Sequence, residues 1–391
     1  MALTLRNTRL ITPTTVVDRG TIMVSQDGRI AYAGPTEGAP NDCGKSLDLE
    51  ALTIVPGFID IHTHGGAGVA FGAGSDARGE LCAYSRWAAG HGVTAFLCSL
   101  AATDADALLA TVRAYADALD TELPGAQALG IHLEGPFLNP ARKGTFPASW
   151  LRAPTIEEAE RLLRAGGGWI RVVTLAPELP GALAVAAVFR KARVVVAMGH
   201  TDADYRTAAE ALSGSFSHVT HAYNAIRGLH PREPGALGAV LASGRASAEL
   251  IADGVHVHPA AMRIILRCLG RNRVTLVTDA VPWAGLPDGD YEWLGQRVHV
   301  NGDRATLPDG TLAGSTTTMD ACVRNAAAMA GIPLAQAIRM ATLNPARALG
   351  VDGRMGRLSV GSDANLAVLD ANGHVAMTFV RGKRVYSRAP T

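Results

Sequence analysis

Six residues of this 391-residue chain carry side chains suited to holding a divalent metal or moving a proton, and each stands where an apolar run ends. They are His62 and His64 in "GFIDIHTHGG", Glu134 in "ALGIHLE", His200 in "VVVAMGH", His221 in "FSHVTH" and Asp279 in "RVTLVTD". His62 and His64 lie two apart, and alternation along a strand sends residues i and i+2 to one face. Alone, such a pair could bind a metal or rest in solvent. Neutral imidazoles together with a carboxylate suit zinc or another borderline divalent metal, and a coordination position left to water makes such a site catalytic. Water held in that way can supply hydroxide near neutral pH, while a nearby carboxylate accepts its proton and later delivers one to a leaving group. Asp279 is the natural shuttle. The implied reaction class is metal-assisted hydrolysis, most often of an amide or ester.

These residues work together only if the fold brings their strands to one place. From about residue 53 to 280 a β-branched run, a turn and a helix-period segment alternate. The strand candidates end at His62, Leu100, Glu134, Glu178, His200, His221, His256 and Asp279. Between them, "DADALLATVRAYADAL" puts Leu108, Val112, Tyr115, Ala116 and Leu119 on one helical face. "TIEEAERLLRAG" opens with a capping box from Thr155 to Glu158 and closes on Gly166. Near-continuous apolar strands alternating with helices predict a parallel sheet, and eight such units match a (β/α)8 barrel of the TIM type. The competing doubly wound open sheet lacks a GxGxxG opening its first helix. In a barrel the C-terminal strand ends form the active face, which is where the six residues would stand.

The flanks have a different texture. Residues 1–52 hold short alternating runs with Asp27-Gly28 as a turn, and residues 354–391 repeat that texture. Both ends are expected to build one small β-sandwich domain, with the catalytic barrel, residues 53–353, inserted between them. "TTTMDACVRNAAAMAG" and "LAQAIRMATLNPARALG" would complete the barrel as helices.

Composition narrows the function classes. With 36 Lys+Arg against 35 Asp+Glu and no long run of one sign, the chain lacks the electrostatic footprint of a nucleic-acid binder. Its start lacks a signal-peptide core, and no stretch reaches the roughly 18 apolar residues of a membrane span, so a cytoplasmic protein that makes no membrane contact is expected. The five cysteines (Cys43, Cys82, Cys98, Cys268, Cys322) are scattered without a CxxC, and neither a disulfide framework nor a zinc ribbon is indicated. His91, His299 and His374 lack a partner at ligand spacing, His132 shares its strand with Glu134, and His218 faces away from His221 on an ideal strand. All five are read as structural.

The HxH, "HLEGPF", "GHTDAD", "THAYNA" and "VTDA", together with "LAPE", "REPG", "ADGVHV", "LAGST" and "GRLSVGSDANLAVLD", resemble the amidohydrolase superfamily. Within it the chain is similar, nearly end to end, to the N-acetylglucosamine-6-phosphate deacetylases. The resemblance implies removal of the acetyl group from N-acetylglucosamine 6-phosphate in amino-sugar recycling. It implies that Glu134, His200 and His221 hold the main metal, zinc first, with Fe2+, Mn2+ or Co2+ also possible. Asp279 would be general base and acid. His62 and His64 would hold a second metal, bridged by Glu134. Phosphate recognition would fall to Asn224, the backbone NH of Ala225, Arg232 and His256, part of this set crossing a homodimer interface. The "LAGST" loop, with Leu312, Ala313, Gly314 and Ser315, would close on the sugar and acetyl group.

One position departs from the pattern. Phe146 stands in "RKGTFP" where those enzymes usually carry a histidine that polarises the substrate carbonyl, and phenylalanine donates no hydrogen bond. This keeps open a deacetylase of an unphosphorylated or isomeric acetamido sugar. Arg142 and Lys143 nearby are read as solvated loop cations. A dihydroorotase or hydantoinase would need a carbamylated lysine at the end of the fourth strand, and "TLAPE" has none. A metal-free scaffold of the same fold would have lost ligands, whereas every ligand position is filled here.

Overall fold

The structure is a computed structural model that describes residues 3–41, 44–74 and 76–388; Cys43 lies outside them. The chain begins with β1 (Leu3–Ile11), β2 (Val16–Val24) and β3 (Ile30–Pro35), an antiparallel meander, and β4 (Lys45–Asp48), parallel to β1. Gly28, φ 76°, makes the turn between β2 and β3 that Asp27-Gly28 announces.

The run "TIVPGFIDIH", expected as one barrel strand, divides at Gly57. β5 (Thr53–Pro56) joins the terminal sheet beside β1, and β6 (Phe58–Asp60) enters the barrel. A Cβ at Gly57 would sit 2.2 Å from the Thr94 side chain, so only glycine lets the chain pass so close at the crossing.

After a short hairpin of β7 (Gly65–Gly66) and β8 (Val69–Ala70), helices and strands alternate. They are α1 (Ala77–Gly90), β9 (Val93–Ala101), α2 (Ala105–Leu119), β10 (Gln127–Glu134), α3 (Ile156–Gly166) and β11 (Ile170–Leu175). Next come α4 (Ala182–Lys191), β12 (Val195–Met198), α5 (Tyr205–Ser213), β13 (His218–Val219), α6 (Gly235–Ala242), β14 (Ser247–Ile251), α7 (Pro259–Leu269) and β15 (Val274–Val277). β6 and β9 to β15 form one parallel eight-stranded sheet. Its ends meet at a seam where Thr278 Oγ1 donates to Asp60 Oδ2 at 2.6 Å and the Asp279 N–H donates to the His62 carbonyl at 2.9 Å. The eight expected strands are thus the eight of the barrel. Sequence detail carries through locally: the Thr155 hydroxyl caps α3 by accepting the Glu158 N–H, although the left-handed stop is Gly167 rather than Gly166.

The barrel interior is layered. Ile59, Ile61, Leu97, Val172, Ile251 and Val277 fill the lower layer, closed from below by Ala346, Leu349 and Met355. Above them lie buried polar side chains. Between β15 and the last barrel helices the chain adds an antiparallel meander that the sequence pattern did not reveal, β16 (Gly289–Trp293), β17 (Gln296–Asn301) and β18 (Arg304–Thr306). Its half-exposed strands carry a separate small core around Trp283, Val298, Val300 and Ala305. α8 (Met319–Ala330), α9 (Leu334–Met340) and α10 (Leu343–Ala348) realise the two expected helical patterns. β19 (Leu366–Leu369), β20 (Val375–Val380) and β21 (Lys383–Ser387) return to β5, so one continuous sheet draws on both chain ends. Leu5, Ile22, Ile54, Leu366 and Phe379 form its core.

Candidate metal centre

The six strand-end residues meet at the mouth of the barrel. His200, His221 and Asp279 each follow the last residues of a strand at positive φ (48°, 27° and 48°), which turns the chain out of the sheet while the side chains stay over the interior. Gly199 permits this turn, because a Cβ there would lie 2.7 Å from Thr174 and 2.8 Å from Thr220. Two clusters result: Glu134, His200 and His221; and His62, His64 and Asp279, all six buried.

In the first cluster Glu134 Oε1 lies 3.1 Å from His200 Nε2 and 3.0 Å from His221 Nε2, and the two imidazole nitrogens are 3.1 Å apart. A tetrahedron built on metal bonds of about 2.0 Å has edges of about 3.3 Å, so these donors have the spacing of ligands around one ion. His200 Nδ1–H donates to the Arg142 carbonyl at 2.8 Å, which leaves the Nε2 lone pair facing the cluster. In the second cluster His62 Nε2 and His64 Nε2 lie 3.4 and 3.6 Å from Asp279 Oδ1, while His64 Nε2 reaches Glu134 Oε2 at 2.9 Å. Glu134 therefore touches both groups: Oε2 reaches His64, while Oε1, beside His200 and His221, also lies 3.5 Å from His62 Nε2. His62 Nε2 is buried without a hydrogen-bond partner, as a metal-binding nitrogen should be.

Electrostatics agree with this donor set. Burial pushes the His62 pKa down, but the carboxylates of Glu249, Asp279 and Glu134 prevail and raise it well above the ordinary value. Burial likewise opposes ionisation of Glu134, yet His62, His200 and His221 hold its carboxyl well below the usual range. The cluster demands positive charge, which a divalent cation supplies.

Beneath it lies a supporting layer that sequence reasoning missed. Glu249, fully buried on β14, accepts from His62 Nδ1 at 2.8 Å and from the His221 N–H at 2.9 Å, and its other oxygen lies 3.2 Å from His218 Nε2. His218, expected to face away from His221, points into the barrel because β13 ends at Val219 and the chain turns before His221. His132 sits below His62, their rings 4.5 Å apart, between the hydroxyls of Ser99 and Thr174. Burial lowers its pKa and keeps it neutral. The one advance sign of this layer was a glutamate inside an otherwise apolar strand, "AELIA".

Above the clusters opens a cavity of about 490 Å³. Asn224, Ala225 and His256 line its side near β13 and β14, and Leu312 and Gly314 line another part. His256 Nδ1 donates to Asp253 at 2.6 Å, freeing Nε2. Ala313 and Ser315 are fully buried behind that wall, where Ser315 Oγ bonds the Thr278 carbonyl. Arg232 does not reach this cavity; it is exposed on the loop that precedes α6. Phe146 is buried with its ring 5.3 Å from that of His200. Arg142, expected in solvent, is ion-paired to Asp202, and Lys143 lines the cavity, as does Trp293 from the inserted meander.

The sequence pattern of the Amidohydrolase family matches residues 53–385, a span that holds every member of both clusters. The chain belongs to the amidohydrolase family. An N-acetylgalactosamine-6-phosphate deacetylase of Escherichia coli O157:H7 is 38% identical to this amidohydrolase over 379 residues, covering 97% of this chain and 98% of the relative. An N-acetylglucosamine-6-phosphate deacetylase of Bacillus subtilis (strain 168) is 34% identical, covering 97% and 96%. A mutant N-acetyl-D-glucosamine-6-phosphate deacetylase from Mycobacterium smegmatis, solved in complex with N-acetyl-D-glucosamine-6-phosphate, matches at a TM-score of 0.92 and 36% identity over 98% of this chain and 99% of that one. The buried donor set and the family together make this a metal-dependent hydrolase.

Proposed function

We propose that this amidohydrolase hydrolyses the acetamide of N-acetyl-D-glucosamine 6-phosphate to D-glucosamine 6-phosphate and acetate. The carrying observation is the pair of His/carboxylate clusters joined by Glu134 under a sugar-sized cavity, in a chain whose near full-length relatives are deacetylases of 6-phosphorylated acetamido sugars.

Glu134, His200 and His221 would hold the main cation, and His62, His64 and Asp279 a second. The imidazole and carboxylate donors favour zinc. Such a cation supplies Lewis acidity, which acidifies water and polarises a carbonyl. The protein's own residues do the rest. Asp279 presents Oδ1 to the cluster, accepts the proton of the attacking water and returns it to the departing nitrogen, so that the amine leaves neutral. Arg142 and Glu249 fix the ring orientations of His200 and His62. Asn224, the Ala225 N–H and His256 bind the phosphate, and the segment from Leu312 to Ser315 shapes the wall beside the sugar. Arg232, on an exposed loop with Leu229, which is 61% exposed, would complete the phosphate site of a second copy in a homodimer. No described helix is long and apolar enough to cross a membrane, and amino-sugar phosphates are metabolites of the cytoplasm, where we place the enzyme.

The galactosamine isomer is the second reading, favoured by the 38% identical relative that carries that name. Steady-state kinetics on N-acetylglucosamine 6-phosphate, N-acetylgalactosamine 6-phosphate and unphosphorylated N-acetylglucosamine, with metal-defined protein, test it. A higher kcat/KM for the galactosamine isomer selects the second reading, and no turnover of either phosphate rejects both.

A further inference from the structure

Beside the catalytic cavity lies a second, apolar one of about 250 Å³, lined by Phe71, Leu100, Ala101, Leu108 and Trp150 among others. Their floors adjoin: Ala101, the last residue of β9, pairs in register with Glu134, the last of β10. Trp293 lines both cavities, and Phe146 of the catalytic one packs in a cluster with Ala101, Trp150 and Leu294 of the other. The Trp293 ring packs edge-on against His64 at 5.4 Å and against Trp283 at 5.9 Å.

Polarity orients a substrate across this space. The anion-binding groups Asn224, Ala225 and His256 belong to the β13 and β14 side, whereas His64, Trp293 and β9 lie on the opposite side of Glu134. An amide centred over the clusters with its sugar phosphate toward His256 directs its acyl group toward Trp293. We infer that the apolar cavity is an acyl-chain subsite and that Trp293, by closing it off, limits the enzyme to acetyl. This rests on the substrate reading given above. Water splits the C–N bond whatever the chain length: the acyl carbon gains the hydroxyl and leaves as a carboxylic acid that ionises to solvent, and the nitrogen gains the other hydrogen and leaves as an amine. The cavity thus changes which acyl group fits and leaves the reaction unaltered.

The test is kcat/KM on N-acetyl- and N-butanoyl-glucosamine 6-phosphate for the wild type, Trp293→Ala, and Trp293→Ala combined with Thr111→Phe, which fills the apolar cavity from α2. Each methylene seated in an apolar pocket is worth roughly tenfold or more, so the butanoyl-to-acetyl ratio should rise at least about tenfold in Trp293→Ala and fall back in the double variant. Trp293→Val, which keeps an apolar side chain at this position, provides the same comparison should the alanine variant fold poorly. An unchanged ratio in a folded variant that still hydrolyses the acetyl substrate overturns the inference alone. A raised ratio that the filling substitution does not reverse overturns it too. A wild type inactive on both acetylated hexosamine 6-phosphates overturns the substrate reading and this inference with it.

Discussion

Glu249 accepts the Nδ1–H of His62 at 2.8 Å and, through the same oxygen, the backbone N–H of His221 at 2.9 Å, so one buried carboxylate orients a member of each metal cluster. Glutamine can keep both bonds through its amide oxygen, and its NH2 can donate to His218 Nε2 once that ring carries its proton on Nδ1 and donates it to Ser247 Oγ; the charge is lost and the His218 tautomer changes. Glu249→Gln should therefore fold and weaken metal binding at the His62 cluster by about tenfold to a hundredfold, the scale of such outer partners. Metal content after dialysis against graded chelator reads this. Full retention at both clusters would show that the charge does not support His62. Glu249→Ala instead strands several buried polar groups at about 1–3 kcal/mol each, and a large loss of thermal stability should follow.

Asp279 stands apart from the Glu134 cluster and contacts His62 and His64 at 3.4 and 3.6 Å through Oδ1. In Asp279→Asn the amide cannot accept a proton, so turnover should fall by at least about a hundredfold while one metal per chain remains on Glu134, His200 and His221. Elemental analysis paired with kcat separates the roles. Near-normal turnover with the metal in place would remove Asp279 from proton transfer.

The strand-end residues were legible because each ended a long apolar run, and a parallel barrel sends such ends to one face. What stayed hidden depended on contacts between distant segments. Glu249 and His218 are remote from His62 in sequence, and only barrel closure shows that they carry it. The division at Gly57 rests on the close passage of Thr94, which no periodicity encodes. β16 to β18 are short and half-exposed, so their alternation was weak, and Trp293 went unnoticed although it lines the site.

Asp202 binds the loop under His200 to its neighbour. It accepts from Arg142 Nε at 2.9 Å and from Arg227 Nη2 at 2.5 Å, and these bonds pull its carboxyl down to about 2. A folded pKa below the unfolded one contributes stability that is present above the unfolded value of 3.8 and is lost as pH falls toward 2. Discounted for partial exposure, the clamp is worth about 1 kcal/mol. Asp202→Asn should lower Tm by a constant ~1–2 °C from pH 8 to 5, with the gap narrowing below about pH 4. Thermal melts across that range check it, and a gap that widens in acid would contradict the assignment.

The phosphate preference follows from which partners would be left without one. His256 Nε2 is free because Nδ1 is committed to Asp253, and Asn224 and Ala225 face the same part of the cavity. Hydrogen bonds to a charged group contribute about 1.5–3 kcal/mol each, so two of them favour the 6-phosphate over the free sugar by more than about a hundredfold in kcat/KM. Arg232 lies outside the cavity of its own chain, so under the homodimer proposed above it would act on the phosphate bound by a second copy. Arg232→Ala should thus reduce kcat/KM for the phosphorylated sugar and leave the weak reaction with the free sugar almost unchanged. Mixing the Arg232→Ala protein, weakened toward the phosphate, with an Asp279→Asn protein, weakened in turnover, should raise phosphate-dependent kcat/KM in hybrid dimers above that of either protein alone, because the Asp279→Asn chain lends its arginine to the neighbour's intact site. No recovery after subunit exchange has been verified would place Arg232 outside the phosphate site, and equal kcat/KM for the two sugars in the wild type would remove the phosphate assignment altogether.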